Sequence, residues 1–445
     1  METPQNWDTL TPAEKRQSRF DSWLSASEIS FKSPEAKKDY QARLSRIIAA
    51  LSLQEPDRVP CQLPAGQFPA YYAGIDTHTA MYDYQAMKQA WLKFLRDFEA
   101  DTFSSPGTGS GRVNEILNVK SMKWPGHGLP ANAPTHQFVE DEYMKADEYD
   151  LLLKDPSDYC LRYYIPRTTG ALEPLTRLMP FRHVLGMPTI FLGACMANDV
   201  QAAFQAVIDS AKELSKQREA MLEVRKEAQS SGFPGFLGGG QAHAPFDIFA
   251  DTLRGTKGIA YDMYRQPEKL LEAMQIITPW IIEGALNGAR MSSSPLIFFA
   301  LHKGDDSFMS EKQFKKFYWP QLKSVIGAFV REGYLPLLFA EGAYNKRLEI
   351  IADLPRASVL WWFDRTDMAR AKKIVGTSAC IQGNVPTSLM RTGTPAAVKE
   401  YCRKLIEVCA PGGGFILAGG ASVDKGDPDN FRAMMAACKE YGVYR

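Results

Sequence analysis

The sequence predicts an α/β fold, a (β/α)8 TIM barrel, on three observations. Short apolar runs recur through the second half of the chain, and each ends in polar or glycine residues. Amphipathic helical stretches separate the runs, the pattern of alternating strands and helices. No Gly-x-Gly-x-x-Gly follows an early strand, which argues against a doubly wound sheet. The run at 295–301 ends on His302, Lys303, Gly304, Asp305 and Asp306. The run at 335–340 ends on Glu341 and Gly342, and 358–363 ends on Asp364. Residues 379–381 lead into Gln382, Gly383 and Asn384, and 415–418 into Gly419 and Gly420. Barrel active sites gather at the C-terminal ends of strands. A carboxylate there, as at Glu341, is costly to desolvate unless it has a partner or a task.

Taken in order, residues 1–57 read as an N-terminal helical extension. Thr11, Pro12 and Glu14 form a cap, a Pro at the first position and an acid at the third. Ser33 and Pro34 open a second helix, with Arg43, Ile47 and Leu51 at helical spacing. The barrel is expected over 58–445. Its first strand falls at 58–63, a helix at 82–98 and its second strand at 100–104. Residues 106–234 form a long insertion between strands two and three, ending in a charged helix at 198–230. Connections of that length are usually functional, as lids or partner surfaces. The acidic stretch from Glu140 to Asp150 inside it reads as a solvated face. Strand three is placed at 233–237, before Gly238, Gly239 and Gly240, which give a ligand close backbone approach. Helices follow at 268–284, 311–333, 344–352, 367–375, 395–409 and 428–441.

Composition excludes several classes. Lys and Arg total 52 against 51 Asp and Glu, so the chain lacks the basic excess of a nucleic-acid binder. No apolar stretch reaches the roughly 18–20 residues of a membrane span, and the first residues lack a signal-peptide pattern. The 7 cysteines are scattered, without a Cys-x-x-Cys. A reducing, cytoplasmic setting is expected, with no membrane and no nucleic acid as partner.

A set of segments then carries a resemblance. They are Arg58, Val59 and Pro60; residues 244–249; 264–270; 314–320; Gln382, Gly383 and Asn384; and the closing 412–417 and 429–435. In that order and spacing they resemble the uroporphyrinogen decarboxylase superfamily. Residues 123–128, 137–145 and 146–150 are similar to its long branch, typified by corrinoid-dependent O-demethylase methyltransferases. The resemblance implies the barrel and covers about residues 58–445.

Two departures from the family pattern matter. Where the decarboxylases carry Arg-Gln-Ala-Gly-Arg-Tyr to bind substrate carboxylates, this chain has residues 63–68, with Gln67 and Phe68 and no arginine. That weighs against a porphyrinogen, whose carboxylates need cations. Where the zinc methyltransferases carry His-x-Cys and a third Cys, this chain has Phe339, Glu341 and a position near Ala421. The comparison leaves Glu341, Asp364 and His302 as an oxygen- and nitrogen-rich set for zinc or a harder metal.

The resulting expectation is a methyltransferase that moves a methyl group from a small donor, such as an aryl methyl ether, to cob(I)alamin on a corrinoid protein. His243, Glu341 and Asp306 are the expected catalytic residues. Gln241, His302, Lys303, Gln382, Asn384 and Phe68 are expected to contact substrate. Cobalamin is the expected cofactor, on a partner or at the barrel mouth, and a homodimer the expected assembly. The alternative is a metal-free decarboxylase or lyase of a small carboxylic acid, with Lys303 and Arg365 as its cations.

Overall fold

The computed structural model describes residues 6–104, 107–237 and 239–444. Gly238 of the glycine run and Pro106, where the insertion was expected to start, lie outside these residues. The described strands are, in chain order, β1 (Cys61–Gln62), β2 (Met122–Pro125), β3 (Gly128–Leu129), β4 (Gln137–Phe138), β5 (Gly240–His243), β6 (Leu296–Leu301), β7 (Leu335–Ala340), β8 (Leu360–Phe363), β9 (Cys380–Val385) and β10 (Phe415–Gly419). Seven form one parallel sheet in the order β1-β10-β9-β8-β7-β6-β5. The crossovers between them are helices, the connection that parallel strands require.

The expected second strand survives as a short segment that spans both edges of this sheet. Its Asp101 N–H donates to Cys61 O at 3.1 Å. Its Phe103 N–H donates to Pro234 O at 2.9 Å, and Phe236 N–H returns to Phe103 O at 3.1 Å. Residues 101–103 therefore connect β1 to the chain that leads into β5, in the TIM-barrel arrangement.

Side chains alternate across the strands. One set, including Ile297, Phe299, Leu301, Leu338, Trp361, Phe363, Ile381 and Leu417, packs on the surrounding helices. The other set faces inward. Leu296, Leu335, Leu337, Leu360, Cys380 and Ile416 pack with Phe20, Trp23, Tyr40, Leu44 and Ile47 of the first two helices, Pro12–Ser25 and Pro34–Leu51. Those helices start as the caps predict. Thr11 and Glu14 form a reciprocal capping box, and Ser33 accepts from Ala36 N–H at 3.1 Å. They plug the N-terminal end of the lumen with apolar groups, so polar lumen residues are confined to the other end.

Two expectations are corrected. The third strand lies at Gly240–His243, not at 233–237. The glycines there serve helix packing: a Cβ on Gly239 would sit 2.6 Å from Gly288 O, and one on Gly240 3.0 Å from Ala289 Cβ. The helix expected at 344–352 is reduced to Leu348–Ile351. Neighbouring loops take its first N–H groups, with Tyr344 N–H donating to Thr366 Oγ1 and Lys346 N–H to Asp306. The acidic stretch of the insertion is exposed at Glu140, Asp141, Asp147 and Asp150, as expected, but it is also tied down by pairing. Glu140 accepts from Thr256, Glu142 binds Arg254, Glu148 binds Arg167 and Asp150 binds Lys269. Besides this strap, the insertion contributes the small sheet β3-β2-β4 and the helix Asn198–Ser230.

Asp101 holds the bridging segment in place. It is 1% exposed and accepts from Arg46 at 2.6 Å, Arg58 at 2.7 and 2.8 Å and Cys61 N–H at 2.8 Å. Removing one member of a buried ion network strands the others, at a cost of about 3–5 kcal/mol. Asp101→Ala is therefore expected to lower the denaturant midpoint sharply, measured by circular dichroism. A midpoint within experimental error of the parent would contradict this account of the clamp.

Candidate active site

The site is built on the turn after β6. The chain beyond β5 runs through the helical segments Pro245–Asp247 and Ile248–Leu253, which place Asp247 and Asp251 one turn apart on one face. Asp247 is 1% exposed and accepts His302 N–H at 3.0 Å, Lys303 N–H at 3.1 Å and the Tyr318 hydroxyl at 2.8 Å. These bonds fix the backbone of the His302–Lys303 turn. Burial, followed by the nearby Asp251 charge, pushes the Asp247 carboxyl up to about 7.

Asp251 acts on the side chains of the same turn. Its Oδ2 lies 2.6 Å from His302 Nδ1, and its Oδ1 lies 3.3 Å from Lys303 Nζ. The hydrogen bond His302 donates to Asp251 outweighs desolvation and raises His302 to about 9, with Glu341 and Asp247 adding to the effect. His302 is thus an imidazolium at neutral pH, and its Nε2 lies 3.9 Å from Glu341 Oε2. Lys303 Nζ donates to Thr256 Oγ1 at 2.8 Å, and that hydroxyl donates onward to Glu140 at 2.7 Å. The strap of the insertion therefore reaches the turn that carries His302.

Glu341 follows β7 and is 46% exposed. Desolvation raises its carboxyl above the usual range, the His302 cation opposes this, and Asp364 raises it further. Asp364, after β8, accepts Gly342 N–H at 3.0 Å and lies 3.4 Å from Arg365 Nε. Gly342 has φ +81°, and a Cβ there would meet Asp305 at 2.9 Å, so this turn requires glycine. His243 ends β5 opposite Ala300 of β6. Burial and then the His302 cation lower it. The site thus holds one charged and one neutral histidine, an arrangement suited to proton transfer.

The structure gathers His243, His302, Lys303, Glu341 and Asp364 at neighbouring strand ends. Gln241 and Gln382 belong to the lumen below them, where Gln382 Nε2 donates to Gln62 Oε1 at 2.6 Å. Asn384 is occupied with Thr366 O at 2.8 Å. Two expected site residues lie elsewhere. Asp306 accepts Lys346 N–H at 3.1 and 3.0 Å and lies 3.7 Å from Arg347, so it organises a loop rather than the reaction. Phe68 is 1% exposed and stacks on Phe431 at 3.9 Å, inside an aromatic core with Phe94 and Phe98.

The expected metal set, Glu341, Asp364 and His302, is not preformed as a cluster. Among the described residues no three His, Cys, Asp or Glu side chains converge as a metal-binding group. His302 gives Nδ1 to Asp251, and its Nε2 faces Glu341 at 3.9 Å. The residues that sequence reading missed are Asp247 and Asp251. Their signal was an acid pair at i and i+4 just beyond a strand end, of which only Asp247 fell in a segment noted for its resemblance.

The model of the family described as "Uroporphyrinogen decarboxylase (URO-D)" matches residues 188–441, more than half of the chain. In structure, the chain is similar to a methyltransferase from Methanosarcina mazei, with a TM-score of 0.57 and 17% sequence identity. That match covers 89% of this chain and 98% of the other. No curated protein matches the chain in sequence.

The electrostatics give a direct test. In a histidine-detected NMR titration His302 is expected to titrate near 9 and His243 below the usual 6.5. Asp251→Asn should bring His302 down, and an unchanged value would remove Asp251 as the cause. The linked stability has a definite sign. A folded-state pKa raised from an unfolded value of about 6.5 gives stability that is complete below that value. It is lost as pH rises through about 9.

Proposed function

The chain belongs to the uroporphyrinogen decarboxylase (URO-D) family, and within it we propose that it is a methyltransferase that moves a methyl group from a small donor to cob(I)alamin on a separate corrinoid protein. The observation that carries this reading is the line Asp251–His302–Glu341 at the open mouth, which holds a proton beside a half-buried carboxyl. The structural likeness to a protein described as a methyltransferase supports it.

In methyl transfer, the bond from carbon to the leaving heteroatom breaks with its electron pair on that heteroatom. An ether oxygen is a poor leaving group unless that charge is met by a proton. Glu341, with its raised pKa, can deliver the proton, and the His302 imidazolium can replace it. Asp251 orients His302, and Asp247 holds the backbone on which it turns. Cob(I)alamin supplies the electron pair that accepts the methyl group. An aryl methyl ether is the first donor class to test.

The charge of the mouth disfavours decarboxylation of a polycarboxylate. His302 and Lys303 are already paired with Asp251, and Lys303 also faces Glu140 at 4.0 Å. Arg365 is 74% exposed beside Asp364. The two cations of the His302–Lys303 turn are thus already engaged before any substrate carboxylate binds.

Incubation with cob(I)alamin and a panel of methoxylated arenes should convert the cobalamin spectrum to that of methyl-Co(III). Glu341→Gln should slow this by about 10²–10⁴-fold, the usual contribution of a general acid. Absence of methyl-Co(III) across a broad panel of oxygen and nitrogen donors would shift the assignment to the decarboxylase.

A further inference from the structure

The lumen below the acids has a composition that the methyl-transfer reading does not use. β7 and β8 pair in register, with Phe339 opposite Trp362. Each strand then carries an acid two residues on, Glu341 and Asp364, on the same inward face. Two aromatic rings with centroids 4.3 Å apart thus lie under two carboxylates. Trp362 Nε1 donates to Gly419 O at 2.7 Å, which fixes the indole. Phe298 of β6 extends the aromatic wall, 6.4 Å from Phe339.

Phe339 and Trp362 are 8% and 7% exposed, and the lumen residues toward β5 are more open. Ala300 pairs with Phe339 on one side and His243 on the other. Gln241 is exposed although it sits within a barrel strand, and Phe298, Ala300 and His243 are partly exposed. An independent sign of a missing ligand comes from β9. Gln382, opposite Trp362, is 0% exposed, donates to Gln62, and leaves its own Oε1 without a partner. A buried acceptor without a donor costs free energy until one is supplied.

We propose that this lumen binds an N-methylated ammonium ion as the methyl donor, its positive head between the Phe339–Trp362 aromatic pair and the Glu341 and Asp364 carboxylates. Aromatic faces and carboxylates both favour a cation, and quaternary ammonium ions are recognised in this way. His302 lies beside Glu341 and Arg365 beside Asp364, but the four carboxylates Asp251, Glu140, Glu341 and Asp364 outnumber the three cations His302, Lys303 and Arg365 at the rim. A hydroxyl or N–H on the ligand would satisfy Gln382 Oε1. The reaction balances without a proton: the C–N bond breaks, its electron pair stays on nitrogen as a neutral amine, and the pair on cobalt(I) forms the new bond to carbon. The proposal rests on the methyl-transfer reading for the reaction but not for binding.

The two are separated by measuring binding and transfer independently. Calorimetric titration of the full chain with choline and with 3,3-dimethylbutan-1-ol compares ligands of one shape that differ in charge. Choline is expected to bind about tenfold or more tightly than its neutral isostere, the effect of roughly 1.4 kcal/mol of cation recognition. Glu341→Gln should erase most of that preference, and Phe339→Leu, which keeps an apolar side chain, should reduce it. Equal binding of the isostere, or binding of a methoxyarene with none of choline, overturns the ammonium site. Choline binding without methyl-Co(III) formation retains the site and overturns methyl transfer. Methyl-Co(III) from a methoxyarene without choline binding does the reverse.

Discussion

Asp101 is the group on which the geometry of the molecule turns. One buried carboxylate gathers Arg46 from an N-terminal helix, Arg58 from the chain ahead of β1, and the Cys61 N–H of β1 itself. The segment that carries it is too short to form an extended ladder, yet it spans the two edges of the parallel sheet. Charge-assisted bonds to two guanidinium groups supply the directionality that backbone pairing does not. The strand ends opposite this clamp can then converge, and everything functional lies on those ends.

The same device appears a second time at the mouth. Asp247 ties the backbone of His302 and Lys303 to Tyr318, and Asp251 engages their side chains. A helical turn therefore sets both the position and the protonation of His302. His243 is nearby on the next strand but lacks such a carboxylate, and burial keeps it neutral. The difference between the two histidines arises from one hydrogen bond rather than from residue type. The insertion contributes as well, because Glu140 and Thr256 extend the polar chain to Lys303.

Much of the framework was legible in the chain. Apolar runs ending in Glu341, Asp364 and His302 marked the strand ends, and cap signals at Thr11 and Ser33 marked the first helices. The glycines at 239 and 240 were misread because a sequence shows that glycine is needed but not what approaches it. The approaching group is helix backbone, with Gly288 O at 2.6 Å from a Cβ built on Gly239. The pairing of the insertion's acids could not be read for a related reason. Their partners Thr256, Arg254 and Lys269 lie more than a hundred residues along the chain.

By itself the sequence determined the order of strands and helices, the residues that end each strand, and the family to which these belong. Hydrophobic period and capping are local, so they can be read along the chain. Only the tertiary structure decided which acids are structural and which face the lumen. Asp306 and Phe68 were absorbed into loops and core, while Asp247 and Asp251 were brought to His302. Ionisation depends on burial and on charges within a few ångströms. Those neighbours come from different strands, so folding alone sets them.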